Sequence, residues 1–190
     1  MNRLFIKNMV CQRCIAAVKQ EFNKLGLEPT SLTLGEADLT ESLTDEQLAQ
    51  LDMGLNALGF ERIDDRKARI IEAVKNKIIQ LIHHSKEIDR KYNWSTILAE
   101  HAHYEYNYLS NLFSSVEGIT LEQYIIRQKI EKAKELLFYD ELNLSEIASQ
   151  LGYSSVAHLS SQFKKVTGMT PSALKKNRQP KDIRKPLDDL

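Results

Sequence analysis

Residues 144–176, LSEIASQLGYSSVAHLSSQFKKVTGMTPSALKK, decide how the second half of the chain folds. Ser145 is a candidate N-cap for a short first helix. Gly152 can take the positive φ that a sharp helix–helix turn needs. Ser154 or Ser155 can then cap a second helix, in which Leu159 and Phe163 stand one turn apart on one face. Such a pair anchors the second helix to the first and leaves its other face free. A helix held in this way can enter a major groove with its N-terminal half toward the base edges.

The stretch is one of two copies. Leu98, Ala99 and Tyr104 correspond to Ile147, Ala148 and Tyr153 at an offset of 49. Leu109, Ser110, Phe113, Val116, Gly118 and Thr120 match Leu159, Ser160, Phe163, Val166, Gly168 and Thr170 at an offset of 50. Six identities in the twelve positions 109–120 exceed what a shared helical pattern supplies, so the repeat is real at the level of sequence. The change of offset puts one extra residue in the second turn. Between the copies, Leu121 to Phe138 reads as a long helix with Ile125, Ile126, Ile130, Ala133 and Leu137 along one side. The first copy has His103 where the second has Gly152, and His tolerates positive φ better than β-branched residues do.

Upstream of residue 65 the texture differs. Residues 2–8 alternate around Leu4 and Ile6, as a strand does. From Cys14 to Lys24, with Leu25 following, Ile15, Val18, Phe22 and Leu25 recur at helical spacing, and Gly26 is a C-cap candidate. Ser31–Leu34 is a short strand, and Gly35-Glu36 a tight turn into Ala37–Leu39. Thr44 and Gln47 form a capping box for a helix to about Leu58. Gly59 ends it, and Phe60–Ile63 supplies a last strand. This order, βαββαβ, predicts a ferredoxin-like α+β domain. Asp64-Asp65 caps a further helix with Ile70, Ile71, Val74, Ile78, Leu81 and Ile82 on one face, either a core helix of the second domain or a dimer seam. The expected division is a ferredoxin-like domain over 1–65, an all-α domain with two helix-turn-helix units joined by a long helix over 66–178, and a flexible polar tail over 179–190.

Ile147-Ala148, Gly152-Tyr153, Phe163-Lys164-Lys165, Gly168 and Thr170-Pro171 resemble the second helix-turn-helix of AraC/XylS-type transcription regulators. Residues 95–143 resemble the first unit and the linking helix. The resemblance implies double-stranded DNA as the partner. Carried over position by position, it implies base-edge or phosphate contacts from Tyr106, Asn107, Ser110 and Asn111 in the first unit. In the second it implies Ser155, Val156, Ala157, His158, Ser160, Ser161 and Gln162, with Lys164 and Lys165 toward phosphate. Tyr106 and Tyr108 can equally pack, and Arg127 on the linking helix is either structural or phosphate-facing. Neither recognition helix carries Arg, so the commonest guanine contact is missing and readout leans to A·T or to DNA shape.

Cys11 and Cys14 are the only cysteines, and their close spacing suits a metal or redox pair better than a staple. The segment NMVCQRCIAAVKQEFNKLGL (8–27), with Gly59-Phe60, resembles a heavy-metal-associated domain. That resemblance implies metal ligation by Cys11 and Cys14, with Met9 packed inside. Two thiolates suit a soft ion such as Cu(I). Cys14, at a helix N-terminus beside Arg13, is the expected thiolate. A redox pair, or a domain that kept the fold only to pack or dimerise, are the other readings. His83-His84 and His101/His103 sit near helix ends, where solvated or capping roles compete with ligation.

The chain of 190 residues has 26 Lys+Arg and 26 Asp+Glu, a net charge of zero. Residues 1–70 hold 9 basic and 11 acidic side chains, and residues 71–180 hold 14 and 12, so the zero is a near-cancellation. Nonspecific DNA affinity is therefore expected to be weak at physiological salt. No apolar run approaches the length of a membrane span, and no secretory leader is seen, so a cytoplasmic protein is expected. No P-loop, nucleotide fingerprint or nucleophile elbow stands out, so no enzyme is expected. The function expected is a sequence-specific DNA-binding transcription regulator responsive to a soft metal, compatible with a homodimer. The competing classes are a metal-trafficking protein whose helical half docks, and a DNA-binding regulator whose first domain only dimerises.

Overall fold

The computed structural model describes residues 2–63, 65–85, 88, 92–139 and 141–176. Asp64 and the tail 179–190 lie outside them. The chain divides into two compact units, Met1–Asn76 and Lys77–Leu190.

The first unit runs β1 (Asn2–Lys7), α1 (Gln12–Lys24), β2 (Ser31–Thr33), β3 (Glu36–Leu39), α2 (Asp45–Ala57) and β4 (Glu61–Arg62). The strands form one sheet of order β2-β3-β1-β4, with every pairing antiparallel. Alternation puts Leu4 and Ile6 on one side of β1, and Ile6 joins Met9, Val18, Phe22, Ala37, Leu39, Leu51, Leu55 and Phe60 in the core. Opposite Asp38 in register, Arg3 donates to its carboxylate from Nε at 2.6 Å and from a terminal nitrogen at 2.9 Å. That contact holds the Asp38 carboxyl below its ordinary range. Thr44 and Gln47 form the expected capping box. The last strand, Glu61–Arg62, is shorter than the predicted Phe60–Ile63, with Phe60 buried in the core, although the Ile63 N–H still donates to Phe5 O of β1 at 2.8 Å.

α3 (Arg66–His83) starts with the Ala68 N–H donating to the Asp65 carboxylate at 2.9 Å. The helix does not belong to the second domain alone. Up to Asn76 it is part of the first unit. The Asn8 N–H donates to Glu72 at 3.1 Å, the Arg69 guanidinium lies 4.9 Å from the Phe5 ring centre, and the Asn76 amide donates to Leu34 O at 3.2 Å. Ile70, Ile71, Val74, Ile78 and Ile82 are buried as the pattern required, while Leu81 is half-buried.

The second unit continues with α4 (Trp94–Ala102), α5 (Tyr106–Glu117), α6 (Leu121–Tyr139), α7 (Leu144–Gln150), α8 (Val156–Thr167) and α9 (Pro171–Lys176). α6 packs against α5, α8 and α9. Its buried side is Tyr124, Ile125, Ile130, Ala133 and Leu137. Ile126 is only half-buried, at the edge of that stripe. Two polar residues join the stripe: Gln128, fully buried, bonds His83 Nε2 at 2.9 Å, and buried Glu131 accepts from Lys134 at 2.5 Å.

Gly35 adopts φ +85, and a Cβ there would run into the Asn76 amide. Gly35→Ala therefore adds left-handed strain and displaces the part-buried Asn76–Leu34 hydrogen bond. It is expected to cost at least about 1 kcal/mol in urea unfolding. An unchanged midpoint would show that the turn does not need the glycine.

Candidate nucleic-acid interface

Each half of the repeat builds the same object. In the second, Asn143 and not Ser145 caps α7. Asn143 Oδ1 accepts from the N–H groups of Ser145 and Glu146 at 2.9 and 3.0 Å, and Glu146 accepts from the Asn143 N–H at 2.7 Å. The reciprocal partner three residues on favours Asn143. Gly152 then turns the chain at φ +70. Ser155 caps α8, accepting from the His158 N–H at 3.1 Å. In the first half, Asn93 caps α4 and His103 makes the turn in the left-handed region at φ +58. α5 starts after Glu105, whose side chain makes no capping bond.

The anchors are as the spacing required. Leu109 and Phe113 on α5, and Leu159 and Phe163 on α8, are buried. The other faces are accessible. On α8, Ala157, His158, Ser161, Lys164 and Lys165 are exposed, and Val156, Ser160 and Gln162 are half-buried. On α5, Asn107 and Asn111 are exposed, and Tyr106 and Ser110 are half-buried. Burial and the nearby Glu122 charge push the Tyr106 phenol up. Tyr108 leans on Tyr104, with ring centres 5.3 Å apart, yet keeps an exposed edge. His158 is steered by two contacts: Ser154 Oγ lies 3.2 Å from Nδ1, and the ring stands edge-on to Tyr153 at 5.3 Å. Arg127 is exposed, in the second turn of α6.

One residue that the spacing did not single out is Lys129. On α6, its ammonium lies 5.8 Å from the Trp94 ring centre at the start of α4 and 5.2 Å from that of Tyr153 in the α7–α8 turn. A single cation thus touches both halves of the repeat through ring faces. Burial pushes its pKa down to about 8. Its place one turn from buried Ile125 and one turn from buried Ala133 was the only signal in the sequence.

In the other unit, Cys11 is the N-cap of α1 and Cys14 lies in its first turn, with sulfurs 3.4 Å apart. The expected order of acidity is reversed. Burial pushes the Cys11 thiol up, but hydrogen bonding from Cys14 and the Arg13 backbone, with the Arg13 charge, outweighs it and holds Cys11 below the ordinary range. Burial, and the neighbouring Cys11 sulfur, push Cys14 up. Met9 is fully buried in the core, so it packs inside as expected. Among the described residues, no three His, Cys, Asp or Glu side chains gather in a metal-binding group. His83 is bonded to Gln128, and His103 forms the C-cap of α4. No helix among the described residues is long and apolar enough to cross a membrane.

A helix-turn-helix domain family matches residues 98–177. The probable transcriptional regulator LumQ of Photobacterium leiognathi is 38% identical over 61 residues, 32% of this chain and 25% of that protein. The melibiose operon regulatory protein of Escherichia coli is 32% identical over 82 residues, 43% of this chain and 27% of that protein. The uncharacterized regulator YtdP of Bacillus subtilis is 26% identical over 119 residues, 63% of this chain and 15% of that protein. The chain thus spans between 15 and 27% of the length of these curated relatives. Among solved structures, the C-terminal domain of AraT, a response regulator from Geobacillus stearothermophilus, superposes with a TM-score of 0.52 at 26% identity, over 60% of this chain and 90% of that one.

The depressed Lys129 pKa has a sign that can be checked. Between about pH 8 and the ordinary lysine value near 10.4, the unfolded chain holds a proton the folded chain has shed, so stability contributed at this site rises with pH. Lys129→Met removes that rise. Urea titrations at pH 7 and pH 10 are expected to show wild type gaining on the variant at the higher pH. A gap that does not change with pH would contradict this.

Proposed function

We propose that the chain, whose residues 98–177 match a helix-turn-helix domain family, is a sequence-specific DNA-binding transcription regulator of the AraC type whose Cys11/Cys14 loop takes up a soft metal ion. The observation that carries the first part is the accessible face of α8, held outward by buried Leu159 and Phe163. Its readers are small or uncharged. Ala157 offers a methyl surface to thymine, and Ser160 and Ser161 can donate or accept. On α5, Asn107 and Asn111 stand one turn apart and exposed, each able to pair with adenine through two hydrogen bonds. Neither helix carries Arg, which favours A·T steps and shape over guanine contacts. Lys164 and Lys165 at the end of α8, and Arg127 on α6, are exposed cations available to phosphate.

For the first unit, the βαββαβ order and the strand order β2-β3-β1-β4 support a ferredoxin-like domain of the heavy-metal-associated kind. Two sulfurs 3.4 Å apart, one of them held toward thiolate, fit a soft ion, with Cu(I) the best match. Cys11 and Cys14 would hold it. To regulate, the ion must bind one arrangement of the protein more tightly than another, and DNA affinity shifts by that difference.

Selection from a pool of mixed duplexes is expected to enrich an A·T-leaning motif. Asn107→Ala and Asn111→Ala are each expected to weaken the selected site by about 5- to 100-fold, the worth of one good base contact. A pool with no enrichment at physiological salt overturns the DNA reading. Cys11→Ser with Cys14→Ser is expected to abolish Cu(I) uptake and any Cu(I)-dependent change in DNA affinity. Equal DNA affinity with and without Cu(I) in wild type removes the metal's role and leaves the DNA reading intact.

A further inference from the structure

The repeat allows the two halves to be compared residue for residue, and they differ most in charge. Residues 144–176 hold four lysines, Lys164, Lys165, Lys175 and Lys176, against a single acidic residue, Glu146. The equally long stretch 94–126 holds four glutamates, Glu100, Glu105, Glu117 and Glu122, and no Lys or Arg. The next cation along the chain, Arg127, sits on α6.

The contrast is sharpest at the positions that would meet phosphate. Lys164 and Lys165 are exposed in the last turns of α8. Their counterparts at the offset of 50 are Ser114 and Ser115 on α5. Neither hydroxyl is free to donate outward. Ser114 Oγ donates to Ser110 O at 2.9 Å, and Ser115 Oγ donates to Leu112 O at 2.7 Å. At the other end of the helix, α8 has Ser155 bonded into its first turn, while α5 has the exposed carboxylate of Glu105 with no capping bond. The backbone and burial patterns of α5 and α8 otherwise run closely in parallel, so the difference lies in side-chain chemistry and not in shape.

From this we infer that the two recognition helices share the work unequally. The second helix-turn-helix supplies the phosphate grip. The first supplies none from its own stretch, and reads base edges through Asn107 and Asn111 only once α8 is docked. This rests on the DNA reading above and deepens it. A duplex carries about one charge per 1.7 Å, so a carboxylate at a recognition-helix start opposes docking, while each lysine that reaches phosphate releases a counterion.

The test is the salt dependence of binding by the full chain to its selected duplex, followed by fluorescence anisotropy over a KCl series. Lys164→Gln with Lys165→Gln is expected to flatten the slope of log K against log salt by about 2. Ser114→Gln with Ser115→Gln is expected to leave it unchanged. Ser114→Lys with Ser115→Lys, which gives the first unit the lysines of the second, is expected to steepen the slope. Glu105→Gln is expected to tighten binding severalfold at low salt. Circular dichroism melts of each variant verify folding, and the gain expected from the lysine insertion cannot come from misfolding. An unchanged slope in the Lys164/Lys165 variant, or a weakening on Glu105→Gln, overturns the inference while duplex binding itself stands. Failure of wild type to select any duplex overturns both.

Discussion

Leu109 with Phe113, and Leu159 with Phe163, are buried pairs one helical turn apart. Each pair decides which side of its helix faces out. Burying side chains of this size contributes about 1.5–3 kcal/mol each, so a rotation that exposed them would cost more than any single groove contact returns. The outward face is therefore set by packing within the domain itself. The turns serve the same end. Gly152 takes φ +70 without strain, and His103 takes φ +58 with some, so that each recognition helix lies across its own partner helix.

The long helix α6 gives those two objects a common base. The Phe113 and Tyr124 rings pack at 5.3 Å, tying α5 to it, and α8 and α9 pack on the same helix. Lys129 adds a contact of a different kind, one ammonium against rings from both halves. Apolar packing holds the helices together without direction. The cation favours the arrangement in which both rings present their faces.

Much of this was legible because periodicity and caps are local. The βαββαβ order, the Thr44–Gln47 box, the positive φ of His103 and the four anchors all follow from residues within a turn or two of each other. Where sequence reading missed, the deciding interaction was with something distant or with an alternative donor nearby. α3 reads as one amphipathic helix, but only Asn8, Leu34 and Phe5 reveal that its first half belongs to the first unit. Cys14 looked like the activated thiol because it stands near a helix start. The helix in fact starts two residues earlier, at Gln12 with Cys11 as its cap, and the hydrogen bonds fall on Cys11. Of the site, every proposed reader on α5 and α8 is exposed or half-buried and none is fully buried, yet the inward bonds of Ser114 and Ser115 could not be read from their identities.

The central claim is that the outward face of α8 lies against base edges. A photo-reactive benzophenone side chain at Ala157, an exposed position between the anchors and the N-cap, tests it most directly. Irradiated with the selected duplex, the protein should form a covalent adduct within the selected motif, and competitor DNA lacking the motif should not abolish it. No adduct from Ala157, with efficient adducts from a benzophenone at exposed Met53 in the first unit, would contradict the account.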